Sequence, residues 1–242
     1  MEIRPLRLKL IPMPKEKISI KQFVSDQVKK WERMYSQAEG LAEPSLSTIT
    51  LSMEPGSGGS ILAQKIADRL NFDLFNREIV EAIAKSAEIR NTVIETMEKD
   101  RLSGVEDFIA SLVKDYYIHP DLYLEHLFRV IHTISGHGRA VIVGRGANFI
   151  LPAGDIFAVR VIAPLDIRIR NVARGYHVST EVAKRRVIQR ESRRKAFVRH
   201  SFNADISDPL HYHMVVNTGK MSMEAAEEAV IASVMAHLAS NR

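Results

Sequence analysis

The chain has 242 residues, of which 45% are hydrophobic and 26% charged, with a formal net charge of +5 and no cysteine. That length supports one large packed domain plus an appendage, and the missing cysteines exclude a disulfide framework and thiolate metal sites. No apolar run approaches the ~18 residues of a membrane-spanning helix, and the basic stretch Met1–Leu10 lacks the apolar heart of a secretory signal, so a cytoplasmic protein is expected.

Residues 1–18 read as an extended basic lead carrying Pro5, Pro12 and Pro14. Residues 19–39 read as an amphipathic helix. Ser19 and Gln22 form a capping box, Ile20, Val24, Val28, Trp31, Tyr35 and Ala38 recur at spacings of three and four, and Gly40 stops the run. Its apolar stripe packs either on the chain's own core or on a partner, such as a second copy in a homodimer, with Trp31 as the anchor.

The pattern then changes. Thr48–Met53 reads as a strand, Glu54-Pro55-Gly56-Ser57-Gly58-Gly59-Ser60 as a turn, and Ile61–Leu70 as a helix. A short strand is expected at Phe72–Phe75, then helical segments over 77–138 with breaks near Asp100–Gly104 and at His119-Pro120. Ala140–Val143 and Phe157–Ala163 read as buried strands, the first ending in Gly144-Arg145-Gly146 and the second stopped by Pro164. Asp166–Arg174 and Thr180–Arg199 read as helices, Ser201–Leu210 as a loop, Met214–Asn217 as the last strand and Ser222–Leu238 as a closing helix. Continuous apolar strands separated by helices imply a parallel sheet covered on both faces, an α/β fold divided into residues 1–45 and 46–242.

The glycine-rich turn carries the chemistry. A strand, a glycine turn and a helix start together hold phosphate, because backbone N–H groups can approach the oxygens and the helix dipole favours negative charge. Glu54, Gly56, Ser57, Gly58, Gly59 and Ser60 are therefore the candidate nucleotide-binding residues. Gly59 stands where a full phosphate-binding loop has lysine, and Ser60 where such a loop keeps the hydroxyl that ligates Mg²⁺. A serine that merely caps the helix is the alternative at position 60. Without the lysine, charge on a transferring phosphoryl group must be met by other cations.

Those cations are concentrated. Residues 160–199 hold twelve basic against three acidic residues, a net +9 that leaves −4 for the rest of the chain. Arg145 follows a strand whose carboxyl end faces the turn, and Arg186, Arg190 and Arg193/Arg194 lie one helical turn apart and can present one cationic face, so Arg145 and the 184–199 cluster are the candidate cations. The same +9 segment also suits nucleic acid. Glu54 is placed to hold a metal-bound water or to orient Arg145, or else is a simple turn carboxylate. The histidines show no metal spacing: His211 and His213 are expected to alternate along a strand edge, and His126, His132 and His137 to lie on a helix surface.

The segments ITLSMEPGSGGSILAQKIADRL, NREIVEAIA, VIVGRGANFIL, VRVIAPLDIRIRNV and DPLHYHMVVNT, in that order over roughly residues 47–238, resemble the cytidylate kinase-like family, a branch of the P-loop nucleoside monophosphate kinases. The resemblance implies a three-layer α/β/α P-loop kinase fold with a parallel five-stranded sheet and an arginine-bearing lid at about 175–210, to which residues 1–45, outside the match, add the N-terminal helical extension. It also implies ATP and Mg²⁺ as cofactors. Gly144-Arg145 corresponds to the pair that approaches the monophosphate acceptor, Arg190 and Arg194 to lid arginines that meet the transferred phosphate, and Asn217-Thr218 to the end of the last strand. The branch commonly lacks the loop lysine. This chain departs from the family pattern at Met53, where arginine is usual, at Pro55, where an aromatic is usual, and at Ser60, where a basic residue is usual. It also departs at Asn76 and His213, often aspartate, and at Gly146, aspartate in cytidylate kinases proper. Three functions are thus expected in turn: a phosphotransferase acting on a small nucleotide-like acceptor, a catalytically inactive nucleotide sensor whose N-terminal helix reports to a partner, and a nucleic-acid-binding protein using the 160–199 surface. No membrane partner is expected.

Overall fold

The computed structural model describes residues 20–37, 48–96 and 122–240, so the basic lead and the breaks expected near 100–104 and 119–120 lie outside the described residues. Among the described residues, β1 (Thr48–Met53), β2 (Asp73–Phe75), β3 (Ala140–Val143), β4 (Ile156–Ile162) and β5 (Met214–Asn217) pair in parallel in the order β2-β3-β1-β4-β5. The helices are α1 (Ile20–Gln37), α2 (Gly59–Leu70), α3 (Arg77–Lys85), α4 (Ala87–Ile94), α5 (Leu122–His137), α6 (Ala147–Ile150), α7 (Leu165–Tyr176), α8 (Thr180–Phe202) and α9 (Met223–Ser240).

Strand alternation sorts the core into two layers. Ile49, Leu51, Val141, Val143, Phe157, Val159 and Val161 pack with Leu62, Ala63 and Ile66 of α2 and Val230 and Val234 of α9. Ala140, Ile142, Ile156 and Ala158 pack on the other face with α1, α3, α4, α5 and the end of α8. On β1 the residues alternating with Ile49 and Leu51 are Thr48, Thr50 and Ser52, all buried, which leaves a polar stripe in the middle of the sheet. The Thr48 and Ser135 hydroxyls satisfy each other at 2.8 Å.

The helical run after β2 breaks earlier than its composition suggests. Asn76 accepts from the Ile79 amide at 3.0 Å and starts α3. Ser86 then both ends α3, donating its amide to the Ala82 carbonyl at 3.1 Å, and starts α4, its hydroxyl accepting from the Ile89 amide at 3.4 Å. One serine thereby serves as stop and start.

α1 packs on its own chain. Trp31 is 3% exposed and stacks on His137 with ring centroids 3.9 Å apart, with Phe75 beyond it. Trp31 thus packs inside the protein and is not an anchor held out to a partner. The expectation of a surface His137 is likewise overturned, since it is buried. His211 and His213 do not alternate along β5: His211 ends a 3₁₀ turn, Pro209–His211, and His213 lies just before β5 with its Nδ1 accepting from the Ala158 amide at 3.0 Å.

The segment expected as a lid is a helical pair. α7 and the first half of α8 pack through Ile169, Val172, Ala183 and Val187. α8 runs three residues beyond its expected end, so Val198 and Phe202 reach the main core and Ser201-Phe202 is helix where a loop was expected.

Candidate active site

All five strands point their carboxyl ends to one edge, and the turn from β1 into α2 lies at its centre. Gly56 has φ +84°, and a Cβ there would lie 2.4 Å from the Arg168 carbonyl oxygen, so only glycine fits. The turn is tied from behind. Asn171 of α7 donates to the Gly56 carbonyl at 2.9 Å, and the Thr218 hydroxyl donates to the Ser57 carbonyl at 2.6 Å. Those bonds consume carbonyls. The amides of Gly58, Gly59 and Ser60 have no acceptor among the described residues, and no side chain caps α2. The Ser57 hydroxyl is buried and has no partner among the described residues. Free amides at the positive end of a helix, with an orphaned buried hydroxyl beside them, make an anion cradle.

Ser60 is exposed at the start of α2, its hydroxyl 3.5 Å from the Met53 sulfur. Among the described residues no cluster of three or more His, Asp or Glu is placed to hold a metal. The exposed Ser60 hydroxyl is the oxygen donor at this turn that a hard cation such as Mg²⁺ would use.

The missing loop lysine has a steric side. A Cβ on Gly59 would lie 2.6 Å from the Met53 Cβ and 2.8 Å from its sulfur. Met53 therefore fills the space that a side chain at 59 would need. Gly59→Lys is expected to destabilise the protein by about 1–3 kcal/mol and to add no phosphate affinity, whereas Gly59→Lys combined with Met53→Gly, which clears both the Cβ and the sulfur from that space, recovers part of that loss. Urea unfolding of the single and double variants measures the coupling.

Three consecutive residues at the end of β1 are each gripped by an arginine from a different element. The Arg160 guanidinium of β4 donates from Nη1 to the Ser52 hydroxyl at 2.7 Å. Arg194 of α8 donates from Nη1 to the Met53 carbonyl. Arg168 of α7 pairs with the Glu54 carboxylate at 3.3 Å and with Glu191 at 2.8 Å. The Glu54 carboxylate also accepts from the Ala163 amide at 3.0 Å, so it braces the turn against the end of β4 and does not orient Arg145. Burial raises Glu191, but Arg168 and Lys195 outweigh it and hold this carboxyl below its ordinary range.

Arg145 lies in a run of left-handed backbone: Gly144, Arg145 and Gly146 have φ of +76°, +55° and +69°. Such conformations in a non-glycine residue concentrate at functional sites. Its guanidinium pairs with Glu81 of α3 at 2.6 Å and lies 5.3 Å from the Phe197 ring centroid. Arg77, at the start of α3, shares the same Glu81 oxygen at 3.4 Å. Burial, together with Arg77, Arg160, Arg190 and Arg145, pushes Arg194 down to about 10. Even there it remains a cation at neutral pH. Arg190 is exposed, its Nη1 donating to the Tyr176 hydroxyl at 3.3 Å. Arg77, Arg145, Arg160, Arg190 and Arg194 thus share one electrostatic neighbourhood, with Glu81 the carboxylate paired to Arg77 and Arg145.

The structure ties Arg194 to the start of the turn through the Met53 carbonyl, with Arg145 and Arg190 within electrostatic reach of it. It adds Arg77, Arg160 and Glu81, which the sequence pattern does not single out. Arg160 has a signal, being the one charge inside the apolar run Phe157–Ala163; Arg77 has only its place after the cap Asn76. The +9 segment is not a continuous surface. Arg160 and Arg168 are buried, and Arg168, Arg170 and Lys195 are paired with carboxylates. At Gly146 a Cβ would meet the Phe202 ring at 2.3 Å, so no aspartate fits after the Gly-Arg pair.

A parallel sheet in this order, with an uncapped glycine turn after its central strand and arginines gathered at the carboxyl ends, defines an α/β protein of the P-loop kinase fold. A crystal structure of an uncharacterized protein from Eubacterium ventriosum shares that fold, with a TM-score of 0.60 and 19% identity over 78% of this chain and 98% of that one. In sequence, the chain is 26% identical over 190 residues to a cytidylate kinase of Pyrococcus horikoshii, covering 78% of this chain and 88% of the relative. It is 23% identical over 189 residues to a cytidylate kinase of Methanocaldococcus jannaschii, covering 77% and 96%. The model of the cytidylate kinase-like family matches residues 48–220, and the chain belongs to that family.

Proposed function

We propose that this protein is a phosphotransferase that moves the γ-phosphoryl group of ATP to the phosphate of a small nucleotide-like acceptor. The observation that carries this reading is the convergence of the free amides of Gly58, Gly59 and Ser60 with Arg145, Arg190 and Arg194, which share one electrostatic neighbourhood, Arg145 being paired with Glu81. The amides hold the donor phosphates. Arg145, fixed by Glu81 over Phe197, grips the acceptor phosphate, while Arg194 and Arg190 neutralise charge on the group in transit. Ser60 would hold Mg²⁺ through its hydroxyl, and the ion would supply further charge neutralisation. Transfer forms a bond from an acceptor oxygen to the γ-phosphorus and breaks the bond to the ADP oxygen. Positioning supplies most of the catalysis, and no side chain is required as general base.

The test is a panel of nucleoside monophosphates, CMP first, each incubated with ATP and Mg²⁺ and followed by ADP release. Release with at least one acceptor, above the rate with ATP alone, is the expected result; no release across the panel removes the kinase reading. Met53 in the space beside Gly59 favours a second reading, an inactive nucleotide sensor. Stabilisation of the fold by ATP with no ADP release from any acceptor would establish it. The burial of Arg160 and Arg168 and the ion pairs of Arg168 argue against a nucleic-acid-binding surface.

A further inference from the structure

Arg160 has no role in the phosphoryl transfer proposed for this site, and it is the most anomalous charge among the described residues. It is 4% exposed in the interior of a parallel sheet. Its partners are the Ser52 hydroxyl at 2.7 Å and the ring of Tyr212, 5.9 Å from the guanidinium carbon. Its Nε is buried and unpartnered, and no carboxylate among the described residues pairs with it. A neutral hydroxyl and a tyrosine ring are weak compensation for a desolvated cation. A residue with these partners detracts from the stability of the empty protein.

Its position explains what it does. Ser52 and Met53 are adjacent, so Arg160 and Arg194 are anchored one residue apart at the end of β1, immediately before the anion cradle. Arg194 also lacks a carboxylate partner among the described residues. Arg168, the third member of the row, carries two, Glu54 and Glu191. The charge of the row is therefore balanced at one end and left open at the end nearer the polar stripe of β1. With Nη1 given to the Ser52 hydroxyl and Nε enclosed, the guanidinium is held in place, and its charge reaches Arg194 through its field.

We propose that Arg160 is a positioning residue whose unbalanced buried charge sets Arg194 for a polyphosphate chain in the cradle, so that the ligand itself serves as the missing counterion. The idea rests on the phosphate-binding reading of the turn and assigns it a device: the fold is held short of its best stability until a polyanion arrives. Binding then offsets an electrostatic deficit as well as making contacts.

Sodium tripolyphosphate is the probe, with sodium chloride at matched ionic strength as control. Thermal unfolding and calorimetric affinity are measured for the wild type, Arg160→Met and Arg160→Lys. Wild type is expected to be stabilised by tripolyphosphate beyond chloride. Arg160→Met is expected to unfold at an equal or higher temperature without ligand, because an apolar side chain of similar length replaces an uncompensated charge. It is expected to bind tripolyphosphate on the order of tenfold more weakly. Arg160→Lys, which restores the charge, regains part of that affinity. An Arg160→Met protein that unfolds earlier when empty yet binds tripolyphosphate as tightly as wild type makes Arg160 a packing residue and overturns the proposal. If Arg160→Met does not fold, Arg160→Gln, which keeps a donor for Ser52, takes its place: weaker tripolyphosphate binding supports the proposal and wild-type binding overturns it. A wild type that shows no tripolyphosphate binding overturns the phosphate site itself, and the two failures are told apart by which protein fails.

Discussion

Gly56→Ala is expected to remove nucleotide binding altogether and to destabilise the fold by about 3 kcal/mol. Two costs combine. An alanine held at φ +84° carries roughly 1–2 kcal/mol of backbone strain, and its methyl would lie 2.4 Å from the Arg168 carbonyl oxygen, a backbone atom that has no rotamer to move into. Arg168 cannot withdraw cheaply, because its side chain is pinned to Glu54, Glu191 and the Ala163 carbonyl. The strain is therefore shed by the turn, whose Gly56 carbonyl leaves Asn171, and the amides of 58–60 lose their alignment. Urea unfolding reads the first effect and ATP calorimetry the second. Gly154→Ala is the control, since a Cβ there meets nothing within 4 Å. A Gly56→Ala protein that binds ATP like wild type would show that the turn is not the phosphate site.

Arg145→Ala is expected to lower kcat/KM for the acceptor by roughly a hundred- to a thousandfold while leaving ATP affinity within a few-fold, because the proposed function gives Arg145 to the acceptor and the cradle is built from other elements. The stability cost is small: Glu81 keeps Arg77 at 3.4 Å, so no carboxylate is stranded. Arg145→Lys recovers little, since an ammonium cannot both pair with Glu81 and fork towards a phosphate. Steady-state kinetics with the best acceptor of the panel, at saturating ATP, makes the measurement. A change below threefold removes Arg145 from the acceptor site.

The architecture is largely legible in the sequence because it is written in period and punctuation. Apolar runs at Ala140–Val143 and within Phe157–Ala163 become β3 and β4, with β4 displaced by one residue at each end. The glycine turn falls where a strand-to-helix junction puts it, although α2 begins at Gly59, two residues earlier than its first apolar residue suggests. Ser86 escapes a reading of the pattern because a serine inside a helical run carries no mark of being a boundary; its double capping role appears only in three dimensions. The site is legible in part. The turn and Arg145, Arg190 and Arg194 announce themselves by glycine content and charge density. Arg77 and Arg160 are separated from the turn by 17 residues or more in sequence and join it only through the sheet order, which places β4 directly beside β1. Charge counting along the chain also treats the 160–199 segment as one surface, whereas folding sends Arg160 and Arg168 inward. Trp31 shows the same limit: an aromatic on an amphipathic stripe looks alike whether its partner is another molecule or His137 of its own chain.

The length of α8 has a mechanical outcome. One continuous rod of 23 residues is moored at its far end by Val198 and Phe202 in the main hydrophobic interior, and only its near end, with Ala183 and Val187, rides on α7. A pivot of the entire rod would tear Phe202 away from Phe149 and Phe128. Any gate here therefore works by flexing partway along, as a forearm bends at the elbow while the shoulder stays in its socket. In such a bend Arg190, bonded to Tyr176 of α7, would move with the near end while Arg194, bonded to the Met53 carbonyl, would stay, so the distance between the two guanidinium groups would report it.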